Sequence, residues 1–138
     1  MAARLAEELL AAPATRGLLE KDVVLVPVPL HPRRRRERGY NQSELLAREL
    51  STRTGLELAA RALVRRVDTL PQAGLSAAGR RRNVAGAFAV RKRTKVSGRV
   101  VVLLDDVMTT GATALACARI LKEAGAAEVR LLSVARVA

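Results

Sequence analysis

The sequence predicts an α/β fold with a mostly parallel central sheet flanked by helices, and three observations carry that prediction. Two segments, DVVLVPV at 22–28 and VVVLLD at 100–105, are continuous apolar runs rich in β-branched residues, as expected of strands covered on both faces. Other segments place apolar residues at helical spacing between clear start and stop signals. The resulting order of strand, helix, strand, helix, strand is that of a parallel sheet joined by crossover helices. With 138 residues and no internal repeat or low-complexity linker, a single domain spanning 1–138 is expected.

The elements follow in order. Leu5, Leu9 and Ala12 recur at helical spacing until Pro13 and Gly17 break the pattern, giving a short amphipathic helix within 1–20. The strand at 22–28 ends at Pro27 and Pro29, because proline donates nothing to a central ladder. A basic loop, His31–Arg38, leads to Gly39. Asn41 is a natural N-cap with Glu44 in capping-box position, Leu45, Leu46 and Leu50 form the apolar stripe, and Gly55 is the stop. Strand character returns at 60–66. Residues 67–84, with Pro71, Gly74, Gly79 and the run Arg80–Arg82, form a long loop, and AGAFAV at 85–90 a short strand. After a basic turn at 91–98 comes the strand at 100–105. Thr110 or Thr113 caps the next helix, whose stripe is Cys117, Ile120, Leu121 and Ala124, with Gly125 closing it. A final strand spans 128–137.

Composition narrows the classes of function. Hydrophobic residues make up 49% of the chain, yet Phe88 and Tyr40 are its only aromatics, so the core is aliphatic. No apolar run approaches the roughly 18–20 residues of a membrane span, and the first twelve residues, which carry Arg4, Glu7 and Glu8, do not resemble a signal peptide. A cytoplasmic protein is expected. One cysteine, Cys117, on the helix stripe, agrees with a reducing compartment and reads as core, and with one histidine, His31, an all-protein zinc site lacks ligands. The net charge of +12 comes from 25 Lys+Arg against 13 Asp+Glu. Such a surface favours phosphorylated metabolites, nucleic acid or other anionic partners.

The chemistry concentrates in VVLLDDVMTTGAT, residues 101–113. An apolar strand runs into Asp105 and Asp106, placed at its carboxyl end, where open parallel sheets bind ligands. Neighbouring carboxylates there can hold ribose hydroxyls, position hydrated magnesium, stabilise positive charge or act as a base. Thr109, Thr110, Gly111, Ala112 and Thr113 supply backbone N–H groups and hydroxyls at a helix N-terminus, which suits a phosphate. Neither Gly-Lys-Ser/Thr nor Gly-x-Gly-x-x-Gly occurs here, so P-loop and dinucleotide folds gain no support. Arg33, Arg34, Arg35, Arg36 and Arg38 put five arginines within six residues, suited to pyrophosphate, to a nucleic-acid backbone or simply to solvent. Stacking support for single-strand binding is thin, since only Tyr40 lies close. Asn41 serves equally as a cap or as a polar contact.

All thirteen residues of 101–113 match the phosphoribosyl pyrophosphate (PRPP) signature of type I phosphoribosyltransferases. VPVPLHPRRRRERGYNQS at 26–43 and QAGLSAAGRRRNVAGAF at 72–88 further resemble the ComF family of competence-associated phosphoribosyltransferase-like proteins. The resemblance covers residue 22 to the end. Family members commonly carry an N-terminal zinc ribbon with paired cysteines, which this chain lacks.

The resemblance implies a three-layer type I phosphoribosyltransferase fold and a PRPP site built from loops. Asp105 and Asp106 would hold the ribose 2- and 3-hydroxyls and, directly or through water, Mg2+. Residues 109–113 would hold the 5-phosphate, and 30–33 would face the pyrophosphate. Residues 67–84 would be a lid whose Arg80 and Arg81, with Arg33, neutralise the leaving group around an oxocarbenium-like transition state. The implied activity is phosphoribosyl transfer to a nucleobase-type acceptor, and dimers are usual in relatives. The alternative is a PRPP- or nucleotide-sensing or DNA-binding module acting in competence, with Arg33–Arg36 and Arg38 on DNA. The sequence names no acceptor and no base that would activate one.

Overall fold

A computed structural model describes residues 2–30, 41–65, 87–92, 94–108 and 111–136, with the backbone alone at 106–108, 135 and 136. Four strands form one sheet: β1 (Val24–Pro27), β2 (Glu57–Leu58), β5 (Val100–Met108) and β6 (Glu128–Arg136), in the order β2-β1-β5-β6 with every pairing parallel. Two short strands, β3 (Leu63–Arg65) and β4 (Phe88–Val90), form a separate antiparallel pair. The expected parallel sheet flanked by helices is what the chain forms.

Alternate side chains of β1 and β5 enter two different cores, as the period of two requires. Val24, Val26, Val101 and Leu103 pack with Phe88, Cys117 and Leu121 on one face. Leu25, Val102 and Leu104 pack with Leu46, Ala47 and Leu50 on the other. The first face is covered by α4 (Ala112–Glu123) and the β3–β4 pair, the second by α3 (Gln42–Thr54) with α1 (Ala2–Ala11). This makes three layers. Each fully buried leucine side chain contributes about 1.5–3 kcal/mol, so aliphatic residues suffice for a core almost free of aromatics.

Pro27 ends β1 for a reason visible in the ladder. Ala59 N–H donates to the Leu25 carbonyl at 2.9 Å on the β2 side, and Val28 N–H donates to Leu104 at 2.8 Å on the β5 side. The nitrogen of Pro27 therefore faces the β2 side, where β2 has already ended at Leu58, and its missing N–H costs nothing.

Several expectations need correction. Pro13 does not merely end the first helix. It opens a second one, α2 (Pro13–Leu18), in which Gly17 is internal, because proline at the first helical position surrenders an N–H that has no partner there. Arg130 anchors this N-terminal unit to β6, donating to the Leu18 carbonyl at 3.1 Å and pairing with Glu20 at 3.4 Å. Leu45 lies outside the buried stripe of α3 at 42% exposure, and the helix instead buries Ser43, Glu44, Leu46, Ala47 and Leu50. Ala124 is the exposed C-cap of α4, whose buried residues are Ala114, Ala116, Cys117 and Leu121. Thr113 does not cap that helix, and Thr110 lies outside the described residues. Gly111 occupies the N-cap with φ +83 and no side-chain cap bond, and Thr113 lies inside the first turn.

Candidate functional site

The connections leaving β1 and β5 place a crevice between those strands. β1 passes through α3 to β2 on one side, and β5 through α4 to β6 on the other. Parallel crossovers share one hand, so moving in opposite directions puts α3 and α4 on opposite faces, as the two cores show. The carboxyl ends of β1 and β5 thus flank a topological switch point, the place where open α/β sheets bind ligands.

Both acids belong to β5 itself, contrary to the expectation that they lie at its end. The strand continues to Met108, paired with β6 through Asp105↔Ser133, Val107↔Ala135 and Met108↔Arg136. It does so after its other neighbour has stopped, since β1 ends with Pro27 opposite Leu104. Residues 105–108 therefore extend past the last residue of β1 on the switch-point side. Asp105 is 9% exposed and lies two residues beyond Leu103, on the α4 side of the sheet. Asp106 is the next residue of the strand, and its side chain lies outside the described residues.

Cys117 registers the charges on that side. Its thiol is fully buried and pushed up to about 12, first by burial and then by the negative charge of Asp105, while the charge of Arg65 acts in the opposite direction. Arg65 ends β3 opposite Phe88, and its guanidinium lies 5.4 Å from the centre of the Phe88 ring, a cation–π contact. Asp105, Cys117 and Arg65 thus converge over the same core.

After Met108 only residues 109 and 110 precede Gly111, whose left-handed φ turns the chain into α4. Leu115 N–H donates to the Gly111 carbonyl at 2.9 Å and opens the helical ladder, so the N–H groups of Thr113 and Ala114 face out of the helix start. The structure thereby brings Asp105, Asp106, Gly111, Ala112 and Thr113 to one end of the sheet. Thr109 and Thr110 lie outside the described residues, as do Arg33–Arg36, Arg38, and residues 67–84 with Arg80 and Arg81. Their brackets are described. Asn41 Nδ2 donates to the Val28 carbonyl at 3.1 Å, and its Oδ1 accepts from Ser43 N–H at 3.0 Å, holding together the two ends of the basic connection. Arg65 and Phe88, which bracket 66–87, are cross-strand partners.

Sequence reasoning missed a second basic feature. Arg61, Arg65 and Arg91 line a cleft of about 220 Å³, together with Pro29, Leu30 and Leu63 among others. Thirty residues separate Arg61 from Arg91 in the chain. Only the β3–β4 register, extended by the 2.8 Å bond from Arg91 N–H to the Ala62 carbonyl, makes them neighbours.

Among the described residues no three His, Cys, Asp or Glu side chains cluster as a metal cage. The residues present still fit magnesium, which is commonly held by one or two carboxylates together with water and substrate phosphate. No helix of the described residues is long and apolar enough to cross a membrane.

A parallel sheet with an acid pair on a strand beside its switch point and a glycine-started helix after it is found here in a chain of the phosphoribosyltransferase class, as the comparisons show. The family of the phosphoribosyl transferase domain matches residues 37–138. DNA utilization protein YhgH of Escherichia coli (strain K12) is 41% identical over 129 residues, covering 94% of this chain and 56% of that protein. Competence protein F of Haemophilus influenzae is 36% identical over 81% of this chain and 49% of its own length. Among solved structures, glutamine phosphoribosylpyrophosphate amidotransferase from B. subtilis, complexed with ADP and GMP, superposes with TM-score 0.61 at 26% identity, over 96% of this chain and 26% of that one. A hypoxanthine phosphoribosyltransferase from Staphylococcus aureus shares the fold, with TM-score 0.55 at 15% identity, over 96% of this chain and 61% of that one. The chain belongs to the type I phosphoribosyltransferases, within the ComF family. It spans about half the length of the curated relatives it matches.

Proposed function

We propose that this chain binds PRPP with magnesium and transfers its phosphoribosyl group to a nucleobase-type acceptor. The observation that carries this reading is the continuation of β5 through Asp105 and Asp106 beyond β1, two residues before a glycine-started helix. Asp105 and Asp106 hold the ribose hydroxyls, and residues 109–113 take the 5-phosphate at the N-terminus of α4, where outward N–H groups and the helix dipole favour an anion. Asp105 and Asp106 also supply the oxygen ligands for magnesium, directly or through water, and the metal when bound neutralises charge on the departing pyrophosphate. Arg33, Arg80 and Arg81 share that task. The acids stabilise positive charge growing on the ribose, since fixed carboxylates in a water-poor site act strongly on a cationic transition state.

Isothermal titration with PRPP and magnesium tests binding. Wild type should bind, and Asp105→Asn and Asp106→Asn should each weaken binding at least about tenfold, the loss expected for a charged hydrogen-bond acceptor. Absence of binding by wild type overturns the reading. A screen of nucleobases for PRPP-dependent pyrophosphate release identifies the acceptor.

A second reading is supported by the relatives' names, which speak of DNA utilization and competence, and by the net charge of +12. Here the chain acts as a PRPP-sensing or DNA-binding module in a cytoplasmic step of DNA uptake, with Arg33–Arg36 and Arg38 on the phosphate backbone. A salt-dependent gel shift lost on replacing those arginines supports it, and turnover of PRPP with a nucleobase supports the first reading.

A further inference from the structure

We infer that the cleft between the start of α3 and the β3–β4 pair, whose described lining does not include Asp105, is a phosphate-ester subsite with Arg61 and Arg91 as its anion ligands. The cleft of about 220 Å³ is large enough for a phosphate and part of the sugar that carries it.

Among the described residues, pairing state separates these two arginines from five others. Arg4, Arg48, Arg53, Arg99 and Arg130 each meet a carboxylate within 3.4 Å. Arg61 and Arg91 are exposed and have no side-chain hydrogen bond or ion pair among the described residues, yet both face the same cleft. Arg65 adds a third positive charge to its wall. The acid in the lining, Glu44, is engaged by Arg48 at 3.1 Å, which reduces its opposition to an anion. Asn41, also in the lining, marks the N-terminus of the thirteen-residue α3, whose dipole adds to the positive field.

The walls suit an ester rather than a bare ion. Pro29, Leu30, Leu63 and Val64 give the cleft an apolar side against which a sugar face can lie, while guanidinium groups bind phosphate oxygens in pairs. Two sources share this chemistry: a free mononucleotide and a phosphodiester strand. The subsite does not require PRPP to bind at Asp105.

Fluorescence anisotropy with two probes separates the sources. One probe is labelled AMP, measured with saturating ribose 5-phosphate to occupy the loop after β5. The other is a single-stranded oligothymidylate about eight nucleotides long without terminal phosphate, near one site size. The double variant Arg61→Gln/Arg91→Gln should weaken at least one probe about tenfold or more at low salt, and the probe affected names the source. The control is Arg16→Gln/Arg119→Gln, which removes the same charge at two other exposed arginines, outside the cleft. It should change binding less than about twofold. Thermal melting checks that each variant is folded. Loss of neither probe, or an equal loss in the control pair, would overturn the subsite. Failure of wild type to bind PRPP would overturn the proposed transferase alone.

Discussion

The side chain of Asn41 donates to the Val28 carbonyl at 3.1 Å while its other terminal atom caps α3 at Ser43. One buried amide therefore ties the residue after β1 to the start of the next helix, across the basic connection between them. Asn41→Ala removes both bonds and leaves the Val28 carbonyl and the Ser43 N–H without them. We expect a loss of about 1–2 kcal/mol, read from urea denaturation midpoints at unchanged slope. A change below a few tenths would mean that water replaces the amide and that the tie is incidental.

Leu45 and Leu46 are adjacent in the chain and opposite in environment, at 42% and 0% exposure. Leu46→Ala opens a cavity beneath α3 and should cost about 2–5 kcal/mol. Leu45→Ala should change stability by less than about 0.5 kcal/mol. Chemical denaturation of the pair tests the helix register directly, and similar losses in both variants would contradict it.

These two leucines also show what the sequence could reveal. Helical spacing correctly placed a helix between Asn41 and Gly55, with Asn41 accepting from Ser43 and Gly55 left-handed at φ +76. Spacing alone could not choose between neighbouring leucines, because the sheet and α1 packed against the helix decide which of them is covered. The two apolar strands were legible from their β-branched content and short length, which identify strands covered on both faces even without alternation. β2 was not legible, since Glu57–Leu58 owes its strand form to the exposed edge of β1 rather than to its own pattern. The acid pair was legible as a local run, whereas Arg61 and Arg91 meet only through a cross-strand register. Likewise, the threonines after β5 suggested a side-chain cap, but the chain uses a left-handed glycine there.

Gly111 carries φ +83, a conformation that costs a residue with a Cβ about 1–2 kcal/mol. Gly111→Ala should lower stability by that amount, and Gly111→Asn by less, since asparagine tolerates this region better. Under the proposed function both variants also weaken PRPP binding, because the turn sets the direction of the first N–H groups of α4. Calorimetric affinity measured beside thermal melting separates the two effects. Full stability and affinity in Gly111→Val would show that the backbone there adapts freely.

Cys117 makes the last prediction, and its sign follows from burial. The thiol's pKa is raised from 9.0 to about 12 in the fold, so the folded protein favours the neutral form. Its contribution to stability is complete below about pH 9 and is lost as pH rises from there through about 12. Across that window stability should fall by up to about 1.4 kcal/mol per pH unit from this group. Cys117→Ala should flatten the alkaline decline relative to wild type when urea midpoints are compared at pH 8 and pH 10. The same burial predicts that a maleimide reagent labels Cys117 slowly in the native protein and rapidly in urea, because only the exposed thiolate reacts. Rapid native labelling at pH 8 would mean that α4 opens from the sheet far more often than its packing against Leu103 and Phe88 implies.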